Sequence, residues 1–160
     1  MFIQRIRSKG AHYGLIGECI LELLRARRAL LHQPFEETAH RLRVPLQSAP
    51  PVADSALAVR QVRAAFGSIH RWVPWRLTCL IRAVAAHQIL ARRGIASNLV
   101  LSVTPASGRT VDAHAWLEAA GIVVTGRHEK EKYVPIYTFS NSPSEDESQL
   151  LGKRVPSCSL

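Results

Sequence analysis

At Gly94 the hydrophobic period of this chain changes, and that change limits the folds open to it more than any other feature. Before it, Leu15, Ile16, Ile20, Leu23, Leu24, Leu30 and Leu31 recur at mostly helical spacing with Glu18, Glu22, Arg25 and Arg28 among them, the pattern of an amphipathic helix. Gln33-Pro34-Phe35 breaks that helix, and 36–42 supports a second, short one. A third is expected at 56–65, where ALAVRQVRAA combines good helix formers with apolar residues at 56, 59 and 62. The segment 80–93, LIRAVAAHQILARR, is apolar nearly all round and stops at Gly94, so it should be the buried helix. Beyond it lie NLVLSV (98–103), TVDAHAWLE (110–118), GIVVTG (121–126) and YVPIYTF (133–139), β-branched or aromatic runs split by turn residues. Helices first and strands last is an α+β layout, here N-terminal helices followed by an antiparallel meander packed on the buried helix.

With 160 residues, 47% apolar and 21% charged, the chain has the composition and length of about one globular domain. The connector VPLQSAPPVA holds three of the nine prolines and is the best internal boundary. The expected organisation is a helical region with its Pro-rich connector at 1–53, a core at 54–140, and a mobile tail at 141–160 that is rich in Ser, Pro and acid. No run approaches the length of about 18 apolar residues that spans a membrane. The N-terminal stretch reads as a helix start and not as a secretion signal, since Arg25, Arg27 and Arg28 follow its apolar part and no small-residue cleavage site appears. Three cysteines without C-x-x-C spacing support neither a disulfide framework nor a thiolate zinc site. A reducing, cytoplasmic setting is the simpler expectation, with no metal or cofactor implied.

Twenty-one Lys and Arg against 12 Asp and Glu give a formal charge of +9, which points to an anionic partner: nucleic acid, a membrane surface or an acidic polypeptide. The field is not uniform. Residues 56–93 hold seven arginines (60, 63, 71, 76, 82, 92 and 93) and no acid, whereas 127–160 balance five basic residues against five acidic ones.

Cys79 falls where an irregular Trp and Pro segment meets the first turn of the buried helix. The unpaired amides and positive dipole end of a helix favour an anion, so a cysteine placed there can act as a nucleophile. In TVDAHAWLE, residues 112, 114, 116 and 118 share one strand face, so His114, Trp116 and the carboxylates Asp112 and Glu118 project together. A helix-initiating cysteine followed about 35 residues later by a strand histidine is the arrangement of papain-like and transglutaminase-like cysteine enzymes. His87 lies roughly 12 Å along the helix from Cys79, too far for contact, and reads as structural or solvent-facing. Cys19 reads as inert packing and Cys158 as an incidental thiol of the tail. Trp72, Trp75 and Trp116 read as core or site-wall aromatics, with Trp75 and Trp116 also placed to line a substrate groove.

The run VPWRLTCLIRAVAAHQILARRGIASNLVLSV, followed by DAHAWLEAAGIVVTG and YVPIYTF, resembles the lasso-peptide leader peptidase, the transglutaminase-like maturation protease of lasso-peptide biosynthesis. The resemblance covers roughly 74–139, and LLHQPFEETAHRL is similar to the family's N-terminal helical region. It implies a transglutaminase-like core and a cysteine protease that removes the leader from a ribosomally made precursor peptide, with Cys79 as nucleophile and His114 as general base. It further implies a separate leader-binding protein as partner, with the ATP-dependent macrolactam cyclase acting on the product and a candidate for contact. Members commonly carry an aspartate about a dozen residues after the histidine; here that position is Thr125 or Gly126. Glu129, which a following strand could bring back, is the substitute expected as third catalytic residue, ahead of Asp112 and Glu118 on the histidine's own strand. Thr125 or a backbone carbonyl could also orient the ring.

Two other classes share these residues. A transglutaminase-like acyltransferase would resolve the same thioester with an amine instead of water. A basic binding module would use the positive field without catalysis, although no standard nucleic-acid motif is present.

Overall fold

A computed structural model describes residues 2–43, 54–69, 72–73, 77–104, 112–126 and 130–142. Four helices come first: α1 (Phe2–His32), α2 (Phe35–Leu42), α3 (Ser55–Ser68) and α4 (Cys79–Arg92). Four strands follow: β1 (Asn98–Val103), β2 (Ala113–Ala119), β3 (Ile122–Thr125) and β4 (Val134–Ser140). The α+β order expected from the change of period is the order observed.

The helix ends are set by local chemistry. Pro34, extended at φ −55° and ψ 139°, separates α1 from α2. Asp54 caps α3 by accepting the Leu57 amide at 2.9 Å. At the far end of α4, Gly94 takes a φ of +66°. The Gly94 amide then bonds Ala91 O and the Ile95 amide bonds Leu90 O, both at 3.0 Å. This is a Schellman stop with buried Ile95 closing onto buried Leu90.

The buried row of α1 is Ile16, Cys19, Leu23 and Ala26, packed on α4. That corrects the apolar face expected from the large residues alone. Leu24 and Leu31 stand 45% and 62% exposed, because the small side chains of Cys19 and Ala26 form the seam where the helices approach. Three carboxylate–arginine contacts join the two helices, Glu18 with Arg92 and Arg93 and buried Glu22 with Arg92 at 2.9 Å, and Glu22 also pairs with Arg25 of its own helix at 2.6 Å. Arg92 and Arg93 also sit at the negative end of the α4 dipole.

All strand pairs are antiparallel, and the sheet order is β3-β2-β1-β4. The expected meander therefore holds for β1 to β3 but not for β4, which returns to pair with β1. β3 lies against α3, and the last strand takes the β1 edge. Pro135 suits that edge position, where no outward amide is needed for pairing. α4 lies across the sheet against β2, β3 and β1, and its apolar face joins α1, α3 and the inner sheet residues in one core.

His87 fastens several elements at once. Its Nε2 lies 3.1 Å from Leu42 O at the end of α2, and its Nδ1 lies 3.0 Å from Ser97 Oγ ahead of β1. The Leu42 carbonyl can only accept, so Nε2–H donates to it and Nδ1 accepts from the Ser97 hydroxyl. Ser97 in turn donates its amide to Asn141 Oδ1 at 2.7 Å. Asn141, assigned to the tail by composition, is buried and holds the end of β4 to the start of β1. The Pro-rich connector 44–53 and the remainder of the tail, 143–160, lie outside the described residues.

Candidate active site

Cys79 is the first residue of α4. Thr78 precedes it in extended conformation and its Oγ1 accepts the Ile81 amide at 3.3 Å, which starts the helix at the cysteine. The first amide of a helix has no carbonyl four residues back to bond with. The Cys79 N–H has no hydrogen-bond partner among the described residues. The half-buried side chain packs at the margin of the core. Cys19 has the opposite character: burial, together with the Glu18 and Glu22 carboxylates and against Arg93, pushes its thiol up to about 12. It is fully buried and inert, as its place in the first helix suggested. Cys158 lies outside the described residues.

His114 is the second residue of β2, the strand on which α4 packs. Its ring is held on an edge and a face. Nε2 lies 3.0 Å from the carbonyl oxygen of Gly126. Because a carbonyl only accepts, Nε2 carries the proton, and Nδ1 of the neutral ring keeps the lone pair that a base needs. The Tyr133 ring stacks on the imidazole with centroids 4.8 Å apart and planes at 28°. Tyr133 is itself tied by its hydroxyl, which donates to Asp112 Oδ2 at 2.7 Å. The strand is anchored beneath by Ser102 Oγ, which donates to the His114 carbonyl at 2.9 Å.

The candidates for third residue separate clearly. Asp112 does not bond the imidazole; it reaches the histidine through Tyr133. Glu118 accepts the Trp116 indole N–H at 2.9 Å, with Trp116 centred 6.2 Å from His114, so the shared face expected along this strand exists while its carboxylates serve other groups. Thr125 Oγ1 is buried without a hydrogen-bond partner among the described residues and does not orient the ring. Glu129 lies outside the described residues. The nitrogen that an orienting carboxylate would take is occupied by the Gly126 carbonyl. The sequence marks 125–126 as the position where a carboxylate is absent and points to Glu129 in its place, with a backbone carbonyl as one alternative; the group on the ring is the Gly126 carbonyl. Sequence reasoning missed Tyr133 altogether, whose place over the ring depends on β4 returning beside β1.

Trp116 is buried at 2% exposure, a core position that offers no surface to a groove, whereas Trp72 is 54% exposed, with its ring edge-on to Tyr13 at 6.4 Å. Trp72 is therefore a surface aromatic, supported by α1 instead of by the core. Trp75 lies outside the described residues. Among the described residues no three His, Cys, Asp or Glu side chains gather as a metal ion would need, and no helix is long and apolar enough to cross a membrane.

A helix that opens on a cysteine, laid across an antiparallel sheet that carries a tethered histidine, defines an α+β domain. Residues 20–138 match the family model of the transglutaminase-like superfamily, and the chain belongs to that superfamily. No curated protein and no solved structure matches it.

Proposed function

We propose that this chain is a cysteine peptidase that removes the leader from a ribosomally made lasso-type precursor, with Cys79 as nucleophile and His114 as base. The observation that carries the reading is the tethering of His114 Nε2 by the Gly126 carbonyl, which leaves Nδ1 as the basic nitrogen. In the mechanism, Nδ1 takes the Cys79 proton and Sγ attacks the scissile carbonyl, with the oxyanion received by the Cys79 amide. The imidazolium returns its proton to the departing amine of the core peptide, leaving the leader as a thioester on Cys79. Water, deprotonated by Nδ1, then releases a free leader carboxylate and restores the thiol.

The resemblance to leader peptidases implies delivery by a leader-binding protein, and α1 offers a surface suited to a partner of that kind. Leu21, Leu24 and Leu31 are 46%, 45% and 62% exposed, with exposed Arg25 and Arg28 between them. An apolar row flanked by cations complements an apolar, acidic partner face. The cyclase, which works on the same precursor, is the second candidate for such contacts.

Cleavage of precursor in the presence of its leader-binding protein, read by mass spectrometry, tests the proposal. Wild type should yield leader with a free carboxylate, and Cys79→Ala should yield none while keeping the wild-type circular dichroism. Cleavage by the folded alanine variant would overturn it. A new amide on the leader in place of the carboxylate would assign the same residues to acyl transfer.

A further inference from the structure

Arg82 stands one turn into α4 from Cys79, at the i+3 position on the same helix face. Helical side chains lean toward the N-terminus, so the arginine stem reaches back over the turn that carries the cysteine. The guanidinium is not out in solvent. Nη2 donates to the Phe66 carbonyl at 3.3 Å near the end of α3, which fixes its direction, while Nε is buried with no hydrogen-bond partner among the described residues. A guanidinium partly withdrawn from water, with one buried N–H unpaired, is a costly arrangement that a nearby anion would compensate.

The acids on the elements packed around α4 do not supply it. Glu18 and Glu22 of α1 are bound to Arg92, Arg93 and Arg25. Asp54 is spent on the α3 cap, Asp112 on Tyr133, and Glu118 on Trp116. Glu36 and Glu37 of α2 are exposed. α3 contributes Arg60 and Arg63, β1 and β3 no charge, and β2 the titratable His114. Burial lowers the arginine's affinity for its proton, and the charge that acts to restore it is Cys79.

We propose that Arg82 is the fixed counterion of the Cys79 thiolate, a positioning residue that supplies beside the sulphur the charge stabilisation that a carboxylate behind His114 would otherwise give. The inference rests on the reading of Cys79 as nucleophile. It explains how the site functions with a neutral orienting group: the Gly126 carbonyl sets the tautomer of His114 but brings no negative charge to favour an imidazolium. A cation beside the sulphur favours the thiolate directly, wherever the proton goes.

The experiment is the pH dependence of Cys79 alkylation by iodoacetamide, followed by peptide mass spectrometry in wild type, His114→Ala, Arg82→Gln and Arg82→Lys. An opposite charge within about 4–6 Å moves a titration by about one unit or more, so Arg82→Gln should alkylate roughly tenfold more slowly at neutral pH with its profile displaced to higher pH. Arg82→Lys should recover most of the wild-type profile. If the glutamine variant is not folded, Arg82→Met, which keeps the apolar stem without stranding a polar atom, serves as the neutral variant. A folded neutral variant whose profile superimposes on wild type overturns the proposal, and so does a lysine variant displaced as far as the neutral one. Wild-type Cys79 labelling no faster than Cys158, or a profile indifferent to His114→Ala, overturns the nucleophile reading itself, and both are seen without any Arg82 variant.

Discussion

A methyl group on Gly126 would lie 2.5 Å from the Ala115 carbonyl oxygen, 2.8 Å from Trp116 Cβ and 2.9 Å from Trp116 Cα, at a φ of +75° that only glycine adopts without strain. The close approach to the β2 backbone is what brings the Gly126 carbonyl to His114 Nε2. Gly126→Ala should therefore cost about 2–4 kcal/mol from overpacking and left-handed strain together, read as a lowered urea midpoint, and should lose most cleavage activity. Gly126→Asp places a carboxylate at the position that the resemblance associates with one, yet should behave like the alanine variant and give no rescue, because the side chain meets backbone before it can turn to the ring. A fully active Gly126→Asp protein would show that the carbonyl is dispensable. Sequence alone singled out Cys79 and His114 as candidates because their types and setting are unusual for a helix start and a strand. A backbone carbonyl leaves no such mark, since every residue has one and only the fold selects which is aimed at the ring.

Elements were legible wherever one repeat ran uninterrupted. β1 was expected at its observed bounds, and α4 began one residue earlier than expected because Thr78 caps it. What pattern could not supply was partnership between elements: the return of β4 to β1 and the seam of small residues on α1. Two such junctions give predictions. The β2–β3 hairpin turns at Ala120 and Gly121 with φ of 47° and 71°, and Ala119 pairs with Ile122, a two-residue turn in which both central positions need the left-handed region. Ala120 is strained there, so Ala120→Asn should raise the urea midpoint by the equivalent of about 1 kcal/mol without changing activity. The junction at His87 depends on pH. Burial, partly opposed by the Leu42 hydrogen bond, lowers its pKa from 6.5 to about 4, because a proton on Nδ1 would face the Ser97 hydroxyl in a dry interior. The unfolded chain thus binds more protons than the folded one between those values, and stability falls as pH drops. The contribution is intact above pH 6.5 and lost progressively toward 4, amounting to about 2 kcal/mol between pH 7 and pH 5. Urea midpoints at the two pH values check this, and in His87→Gln, destabilised overall, that share of the difference should disappear.

At the scale of the whole molecule, charge and chemistry are set in different dielectric surroundings, and this makes them separable. The formal charge of +9 is carried largely by arginines of the helical half. Arg60 and Arg63 line a hollow of about 630 Å³ with Ala64, Gly67 and Ile122, and exposed Arg25 and Arg28 flank the apolar row of α1. Fields from exposed cations reach about 10 Å at 0.1 M salt and about 3 Å at 1 M. If they draw in an acidic precursor or its delivery protein, kcat/KM for leader removal should fall about tenfold as salt rises from about 0.05 M to about 0.5 M, mainly through slower association. Alkylation of Cys79 by iodoacetamide should hardly change over the same range, because the reagent is neutral and the Cys79–Arg82 pair is partly withdrawn from solvent. Measuring both rates in the same salt series separates a folding effect, which would move them together, from encounter steering, which moves only the first. Leader removal indifferent to salt would reduce the arginines to solvated helix faces. Salt-sensitive capture of an oligonucleotide, with Cys79 unreactive throughout, would make the positive surface the function and the thiol site a relic of the superfamily.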